Sequence, residues 1–159
     1  MRQLMQNAQI ISALSNTAVS TVTPTVVSLK NYQHVTAIIH LKTSTGSAAA
    51  AITLKQGTAV AAAATALGFK YVWKNTDCAA GETLTKTAVT SDTFNSAGVA
   101  GKRELYVIEV DTDTLDTDNG YDCFRVALAD MAATVATVTY ILSQPRFVDQ
   151  TAHVPSITD

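Results

Sequence analysis

Carboxylates are concentrated in one short stretch of the chain, and their spacing is the first hint of chemistry. The stretch contains Glu109, Asp111, Asp113, Asp116, Asp118 and Asp122. Such a density of carboxylates can bind calcium, which takes about six to eight oxygen ligands. The stretch does not match an EF-hand loop. If Gly120 took the loop's glycine position, three ligand positions would fall on Leu115, Thr117 and Asn119, and Val126 would stand in place of the bidentate glutamate. The sequence predicts a solvated acidic turn over 109–122, with a calcium site of another kind as the open alternative.

Histidine and cysteine, the usual side chains of nucleophilic and zinc chemistry, are few: His34, His40, His153, Cys78 and Cys123. His34 and His40 share one face of a predicted strand about 20 Å apart, too far for one metal ion. The cysteine spacing matches neither a zinc site nor a Cys–His pair, and both thiols are predicted to stay reduced in a cytoplasm. The sequence also lacks a G-x-S-x-G elbow and a glycine-rich phosphate loop. We therefore predict that the protein is not an enzyme and has no catalytic residue, cofactor or metal.

Composition bounds the remaining classes of function. The chain has 159 residues, of which 47% are hydrophobic, enough for one domain with a sizeable core. The chain has 11 Lys and Arg and 13 Asp and Glu, and its basic residues form no cluster, so we expect no nucleic-acid partner. An apolar run of about 20 residues is lacking, so we expect no membrane span. The N-terminus does not have the plan of a secretory signal, which predicts a soluble protein made in the cytoplasm.

Period-2 alternation is the main structural signal. Over 104–111, 122–128 and 136–142 it predicts three strands whose inward faces are Tyr106, Ile108 and Val110, then Phe124, Val126 and Leu128, then Ala136, Val138, Tyr140 and Leu142. Asn119-Gly120 tolerates positive φ and can turn the chain into the second strand. The connector 129–133 is short, which predicts that the last two strands lie side by side and antiparallel.

Earlier segments show the same alternation. It predicts a strand over 34–42 with Val35, Ala37, Ile39 and Leu41 inward, and another over 69–75 with Phe69, Tyr71 and Trp73 on the core face. Those aromatic rings beside Lys70 and Lys74 also fit a stacking platform for single-stranded nucleic acid, but the negative net charge favours the core interpretation. Further strands are predicted over 17–29, at an edge or broken at Pro24, over 50–56 and over 83–94.

Together these eight strands predict an all-β fold, a jelly-roll-like antiparallel β-sandwich with extended terminal arms. The sandwich is assigned to residues 16–145 and a C-terminal arm to 146–159. Residues 1–15 are either a second arm or a short helix, since Leu4, Ala8, Ile11 and Leu14 also fit helical spacing. The alanine-rich segment 58–67 is predicted to be an irregular or partly helical crossover.

The blocks YVIEVDTDTLDTDNGYDCFRVALAD and ATVTYILSQPRF, with FKYVWKNTD and NYQHVTAIIHL upstream, carry a resemblance to a known class. The chain over about residues 31–147 resembles small structural proteins encoded near the capsid genes of tailed bacteriophages. The shared pattern is a strand, an acidic D-x-L-D turn, a G-Y/F-D strand with an arginine, and a final strand ending in P-R-F/Y. The resemblance implies a virion protein, a head decoration or cement protein with a jelly-roll-like sandwich.

Two functions of different classes follow as expectations. The first is a capsid decoration protein on the virion surface that clamps the major capsid protein as a homotrimer, with Met1–Leu14 and Arg146–Asp159 ordering across neighbouring subunits or on the capsid floor. The second is a carbohydrate-binding or host-attachment module, since jelly rolls also occur as lectins. Its candidate site is Tyr121 beside Asp118, Asn119 and Asp122, an aromatic ring among acidic and amide groups.

Overall fold

The chain folds into antiparallel strands arranged in two sheets. The structure is a computed structural model, and it describes residues 7–20, 23–45, 49–131 and 133–146. Its strands in chain order are β1 (Ala8–Ala18), β2 (Val27–Ser28), β3 (Tyr32–Thr43), β4 (Ala51–Gly57), β5 (Thr65–Ala66), β6 (Tyr71–Asn75), β7 (Thr85–Ala88), β8 (Thr93–Asn95), β9 (Arg103–Asp111), β10 (Cys123–Leu128) and β11 (Thr134–Pro145). Two 3-10 helices, Thr112–Thr114 and Thr117–Asn119, lie between β9 and β10. Neither is long enough to cross a membrane, and no helix among the described residues is both long and apolar enough to do so.

The larger sheet has six strands in the order β1-β11-β3-β9-β6-β7, and the smaller has the order β2-β10-β4-β5, with β8 also pairing with β4. From β8 onward each strand lies in the opposite sheet from the one before it, as in a jelly roll. The predicted all-β antiparallel sandwich is confirmed.

The core lies between the inward faces of the two sheets. The residues predicted to point inward on β3, β9 and β11 are buried, as are Phe124 and Val126 on β10, while Leu128 is half-buried. Phe124 and Tyr140 meet edge-on across the sandwich, with ring centroids 5.5 Å apart. The Tyr140 hydroxyl accepts a hydrogen bond from the Val126 amide at 2.9 Å, so a polar contact links the sheets inside the core.

The predicted pairing of the last two strands is wrong. β10 pairs with β2 and β4 in the smaller sheet, whereas β11 pairs with β1 and β3 in the larger one. The connector crosses the edge of the sandwich, where the Met131 amide donates to the Val19 carbonyl at 2.8 Å and Ala133 has a positive φ of 55°. Because β10 and β11 lie in opposite sheets, their apolar faces are buried against one another in the core. A short connector can join strands of opposite sheets as readily as it can join the two strands of a hairpin.

The helical alternative for the N-terminal segment is wrong from Ala8 onward, while Asn7, the first described residue, is helical. Ala8–Ala18 is the edge strand β1, paired with β11 from Ala8–Ser143 to Ala18–Val135. Its register shifts on either side of Leu14, and Asn16 has a positive φ of 44°. These irregularities bury the consecutive residues Ala13 and Leu14, which breaks the two-residue period and imitates helical spacing. The sandwich therefore begins at Ala8, inside the predicted arm, while residues 1–6 and 147–159 lie outside the described part.

Three other predicted segments follow the prediction in part. The strand predicted over 17–29 breaks before Pro24, as its proline predicts, and only β2 forms beyond it, at an edge. The strand predicted over 83–94 divides into β7 and β8, which lie in different sheets. The crossover 58–67 is irregular and contains the short strand β5, with no helical turn in it.

Candidate functional site

The aromatic strand β6 faces the opposite way from the prediction. Val72 is buried, whereas Tyr71 is 47% exposed and Trp73 is half-exposed. Phe69 is buried as predicted, and its ring meets Phe94 edge-on at 6.1 Å. The chain bends at residue 70, so the alternation before the bend does not continue into the strand. Tyr71 and Trp73 therefore belong to the outer surface and not to the core.

A cleft opens where β6 and β9 separate. The two strands pair from Asn75–Leu105 to Trp73–Val107, and the described pairing ends there. Beyond that point β6 stays with β7 as far as Tyr71–Ala88, while β9 stays with β3 as far as Asp111–His34. The gap between the diverging strands has a volume of about 790 Å³.

One wall of the cleft is aromatic and basic. Tyr71 and Trp73 project from β6, and Lys86 projects from the neighbouring β7. The Lys86 ammonium nitrogen lies 3.9 Å from the Tyr71 ring centroid and 5.4 Å from that of Trp73. A cation this close to two ring faces is attracted by their quadrupoles, which favours this arrangement of the three side chains.

The opposite wall is acidic. It contains Glu109, Asp111 and Asp113, at the end of β9 and on the first 3-10 helix, so half of the acidic run lines the cleft. Asp111 Oδ1 lies 2.6 Å from His34 Nδ1 on β3, a contact that fixes the carboxylate at the cleft margin. Glu109 and Asp113 are exposed. Sequence alone did not indicate that these acids face the aromatic strand.

The rest of the acidic run lies apart from the cleft. Buried Leu115 separates the two halves, and the Asp116 carboxylate accepts hydrogen bonds from the Asn119 amide at 3.0 and 2.8 Å. Asp118 is exposed, and Asp122 lies 3.5 Å from the Lys30 ammonium. Across the described ranges, His, Cys, Asp and Glu are nowhere gathered in threes that could hold a metal ion.

The cluster predicted as a sugar site is already engaged in local contacts. Tyr121 is half-buried, and its hydroxyl accepts a hydrogen bond from Thr65 Oγ1 at 3.3 Å. Its neighbours Asn119 and Asp122 contact Asp116 and Lys30, as described above. These side chains therefore stabilise the turn through their contacts with one another. Among the described residues, Tyr71 is the exposed aromatic residue that lies beside acidic side chains.

The remaining predicted chemical residues are dispersed. His40 lies on the outward face of β3, half-exposed, six positions from His34, and His153 lies outside the described residues. Cys78 lies in a turn and Cys123 is buried at the start of β10, and no disulfide joins them.

The outer surface of the larger sheet is the second notable feature. Antiparallel sheets with one face on the core usually present polar residues to water on the other. Here the outward positions of β11 are mostly apolar or threonine, and Ile10 on β1 is 46% exposed. On β3 and β9 the apolar outward residues Ile38, Leu105 and Val107 alternate with polar and charged ones, including His40. We call the half-exposed or exposed set Ile10, Ile38, Leu105, Val107, Val135 and Ile141 the outer apolar face. Some of these residues are direct cross-strand neighbours, as are Ile38 and Val107, and Ile10 and Ile141.

Charges lie at the two ends of the outer apolar face. Lys42 and Arg103 are cross-strand neighbours at one end, and Glu109 and Asp111 lie at the other. All four are exposed. The surface therefore has a central patch of apolar and threonine side chains, interrupted by His40, with a basic and an acidic margin.

A buried polar network supports the loop before β9. The Glu104 carboxylate is fully buried and accepts hydrogen bonds from the Tyr106 hydroxyl at 2.7 Å and the Val99 amide at 2.9 Å. The Tyr106 hydroxyl also accepts from the Ala97 amide at 2.7 Å. Burial, with the hydrogen bond to Glu104, raises the pKa of Tyr106 well above its usual range.

On the surface near this loop, the Lys102 ammonium lies 2.5 Å from an Asp77 carboxylate oxygen. The hydrogen bond from Lys102 lowers the pKa of Asp77. This ion pair ties the loop to the turn that follows β6.

Comparison with known proteins gives little further information. No protein-family model matches the chain, and no curated protein matches it. Among solved structures, the crystal structure of SPBc2 prophage-derived protein YomS is similar, at 13% sequence identity and a TM-score of 0.43, over 87% of this chain and 94% of that chain. A likeness at this level assigns neither a family nor a function.

Proposed function

We propose that the protein is a virion structural protein that decorates assembled phage heads, binding the major capsid protein as a homotrimer and acting by contact, without catalysis. The observation that carries this proposal is the outer apolar face. A sheet with apolar side chains on both sides is stabilised when both sides are covered, and the sandwich core covers only one.

The composition of this surface suits docking. Each Å² of apolar surface removed from water contributes about 25 cal/mol before the costs of association. The threonines between the apolar residues, such as Thr137 and Thr139 on β11, carry no charge to desolvate. The charged margins resemble the polar rim that surrounds the apolar centre of a protein interface.

The sequence resemblance supplies the class of partner. The resemblance implies a head decoration protein, which would bind a lattice of identical subunits, so that one weak contact is repeated by symmetry. Repetition raises the effective concentration of each further contact, which allows tight decoration without a strong single site.

The test is co-sedimentation with heads assembled from the coat protein of the encoding phage. Ile38→Lys places a charge at the centre of the outer apolar face, and Ala127→Lys places the same charge on the outer face of the smaller sheet. Both positions are half-exposed, so both variants should fold, which circular dichroism and melting temperature would check.

We expect Ile38→Lys to lose at least about tenfold in apparent affinity, equivalent to about 1.4 kcal/mol, and Ala127→Lys to bind like the parent. Equal binding by both variants would show that the outer apolar face is not the docking surface. Failure of the parent protein to bind heads would refute decoration itself.

A further inference from the structure

We propose that the cleft between β6 and β9 is a binding site for a neutral oligosaccharide. This site adjoins the acidic margin of the outer apolar face, with which it shares Glu109 and Asp111, and it is distinct from the Tyr121 cluster that the sequence suggested. Its volume of about 790 Å³ is within the range of small-ligand pockets, about 300–1,000 Å³.

The aromatic wall provides the apolar half of such a site. A pyranose ring presents a face of C–H groups that packs on an aromatic ring, and Tyr71 is among the most exposed large hydrophobic residues described. Trp73 lies two residues away on the same side of β6, about 7 Å along the strand. Tyr71 is 47% exposed even with the Lys86 ammonium over its ring, so this spacing allows successive sugar units to contact the parts of the two rings that Lys86 leaves exposed.

The charges of the two walls select the class of ligand. Lys70 and Lys86 lie on one side and Glu109, Asp111 and Asp113 on the other. A ligand of a single charge sign would be attracted by one wall and repelled by the other, whereas a neutral ligand meets no such repulsion. A hydroxyl group both donates and accepts hydrogen bonds, so a neutral polyol can donate to the acids and accept from the lysines.

The walls are also held in place before any ligand binds. Lys86 contacts both aromatic rings, and His34 fixes Asp111. Both walls project largely from strands paired to their neighbours. Side chains that are already ordered lose less conformational entropy on binding, which favours affinity for a weakly interacting ligand.

Trp73 makes the test direct, because it is the single tryptophan of the chain. The purified protein is titrated with cellobiose, maltose, lactose and N,N′-diacetylchitobiose while tryptophan emission is recorded. We expect at least one of these sugars to shift the emission to shorter wavelength and to saturate.

Two variants and one control locate the site. Tyr71→Ala removes the exposed ring and should weaken binding at least about fivefold, by analogy with the loss of a stacking ring in other polar ligand sites. Glu109→Gln keeps the shape of the wall and should weaken binding as well. Tyr121→Phe, in the cluster suggested by the sequence, should bind like the parent.

The proposal is overturned if no sugar of the panel gives a saturable change, or if Tyr71→Ala and Glu109→Gln bind as tightly as the parent. It is also overturned if a peptide of residues 146–159 shifts the Trp73 emission while the sugars do not, since the cleft would then take an extended chain segment between its separated strands. Head binding plays no part in this assay, so its outcome is independent of capsid decoration.

Discussion

The hydroxyl of Tyr106 offers a sharp test of how the core is stabilised. It donates to the buried Glu104 carboxylate and accepts from the Ala97 amide, both at 2.7 Å. Tyr106→Phe removes both hydrogen bonds and leaves the ring in place, so no large cavity forms. Tyr140→Phe is the matched control, since its hydroxyl is equally buried and accepts from the Val126 amide.

The expected magnitudes follow from the groups that lose their partner. A buried polar group without a partner costs about 1–3 kcal/mol, and more when it is charged. The partly buried Ala97 amide contributes about 1 kcal/mol and the fully buried Glu104 carboxylate about 2–3 kcal/mol, so Tyr106→Phe should cost about 3–4 kcal/mol. Tyr140→Phe deprives one amide of its acceptor and should cost about 1–2 kcal/mol.

Urea unfolding followed by Trp73 fluorescence measures both variants against the parent protein. The unfolding midpoints should fall in the order parent, Tyr140→Phe, Tyr106→Phe, with the denaturant slope unchanged. A cost for Tyr106→Phe equal to or below that of Tyr140→Phe would refute the reasoning, because it would mean that Glu104 does not depend on this hydroxyl.

Four further outcomes are expected. Phe124→Ala should cost about 3–5 kcal/mol in urea unfolding because its ring is fully buried, and a near-neutral result would remove Phe124 from the core. Gly57→Ala should destabilise the fold more than Gly68→Ala, because an added Cβ would meet backbone atoms at 2.6 Å at the first position and open space at the second; equal unfolding free energies would contradict this. Burial raises the pKa of Tyr140, so its contribution to stability is present below about pH 10 and is lost as the pH rises. The advantage of the parent over Tyr140→Phe should therefore shrink by about 1.4 kcal/mol between about pH 9 and about pH 11, and a constant difference would speak against the raised pKa. Finally, EDTA should leave the melting temperature unchanged if the acidic turn is solvated, whereas a fall of several degrees would reveal a bound cation.

The strand arrangement also changes how the termini can be studied. Deleting Met1–Leu14 would remove most of β1, whose residues Ala13 and Leu14 are buried and whose partner is β11 of the same chain. Any effect of that deletion on oligomerisation would be confounded by damage to the larger sheet. A truncation that ends before Ala8 is the suitable test of an N-terminal arm.

Local sequence pattern was sufficient for the inward faces of the long strands. In β3, β9 and β11 apolar residues alternate with others over several successive pairs, and a period of two leaves a single choice of buried face. Pro24 and Gly120 were equally informative, because each restricts the backbone locally: Pro24 lies outside the strands, and Gly120 has a φ of 79°.

Tertiary structure decided the features that depend on distant residues. β6 has five residues with apolar side chains on both faces, so alternation permitted either orientation, and packing buried Val72 and left Tyr71 and Trp73 outside. The pairing of β10 and β11 with different sheets, and the gap between β6 and β9, are choices among partners far apart in the chain. Periodicity indicates which side of its own strand a residue occupies, but it does not identify the neighbouring strand. The cleft between the aromatic wall and half of the acidic run therefore forms only when the strands are assembled into sheets.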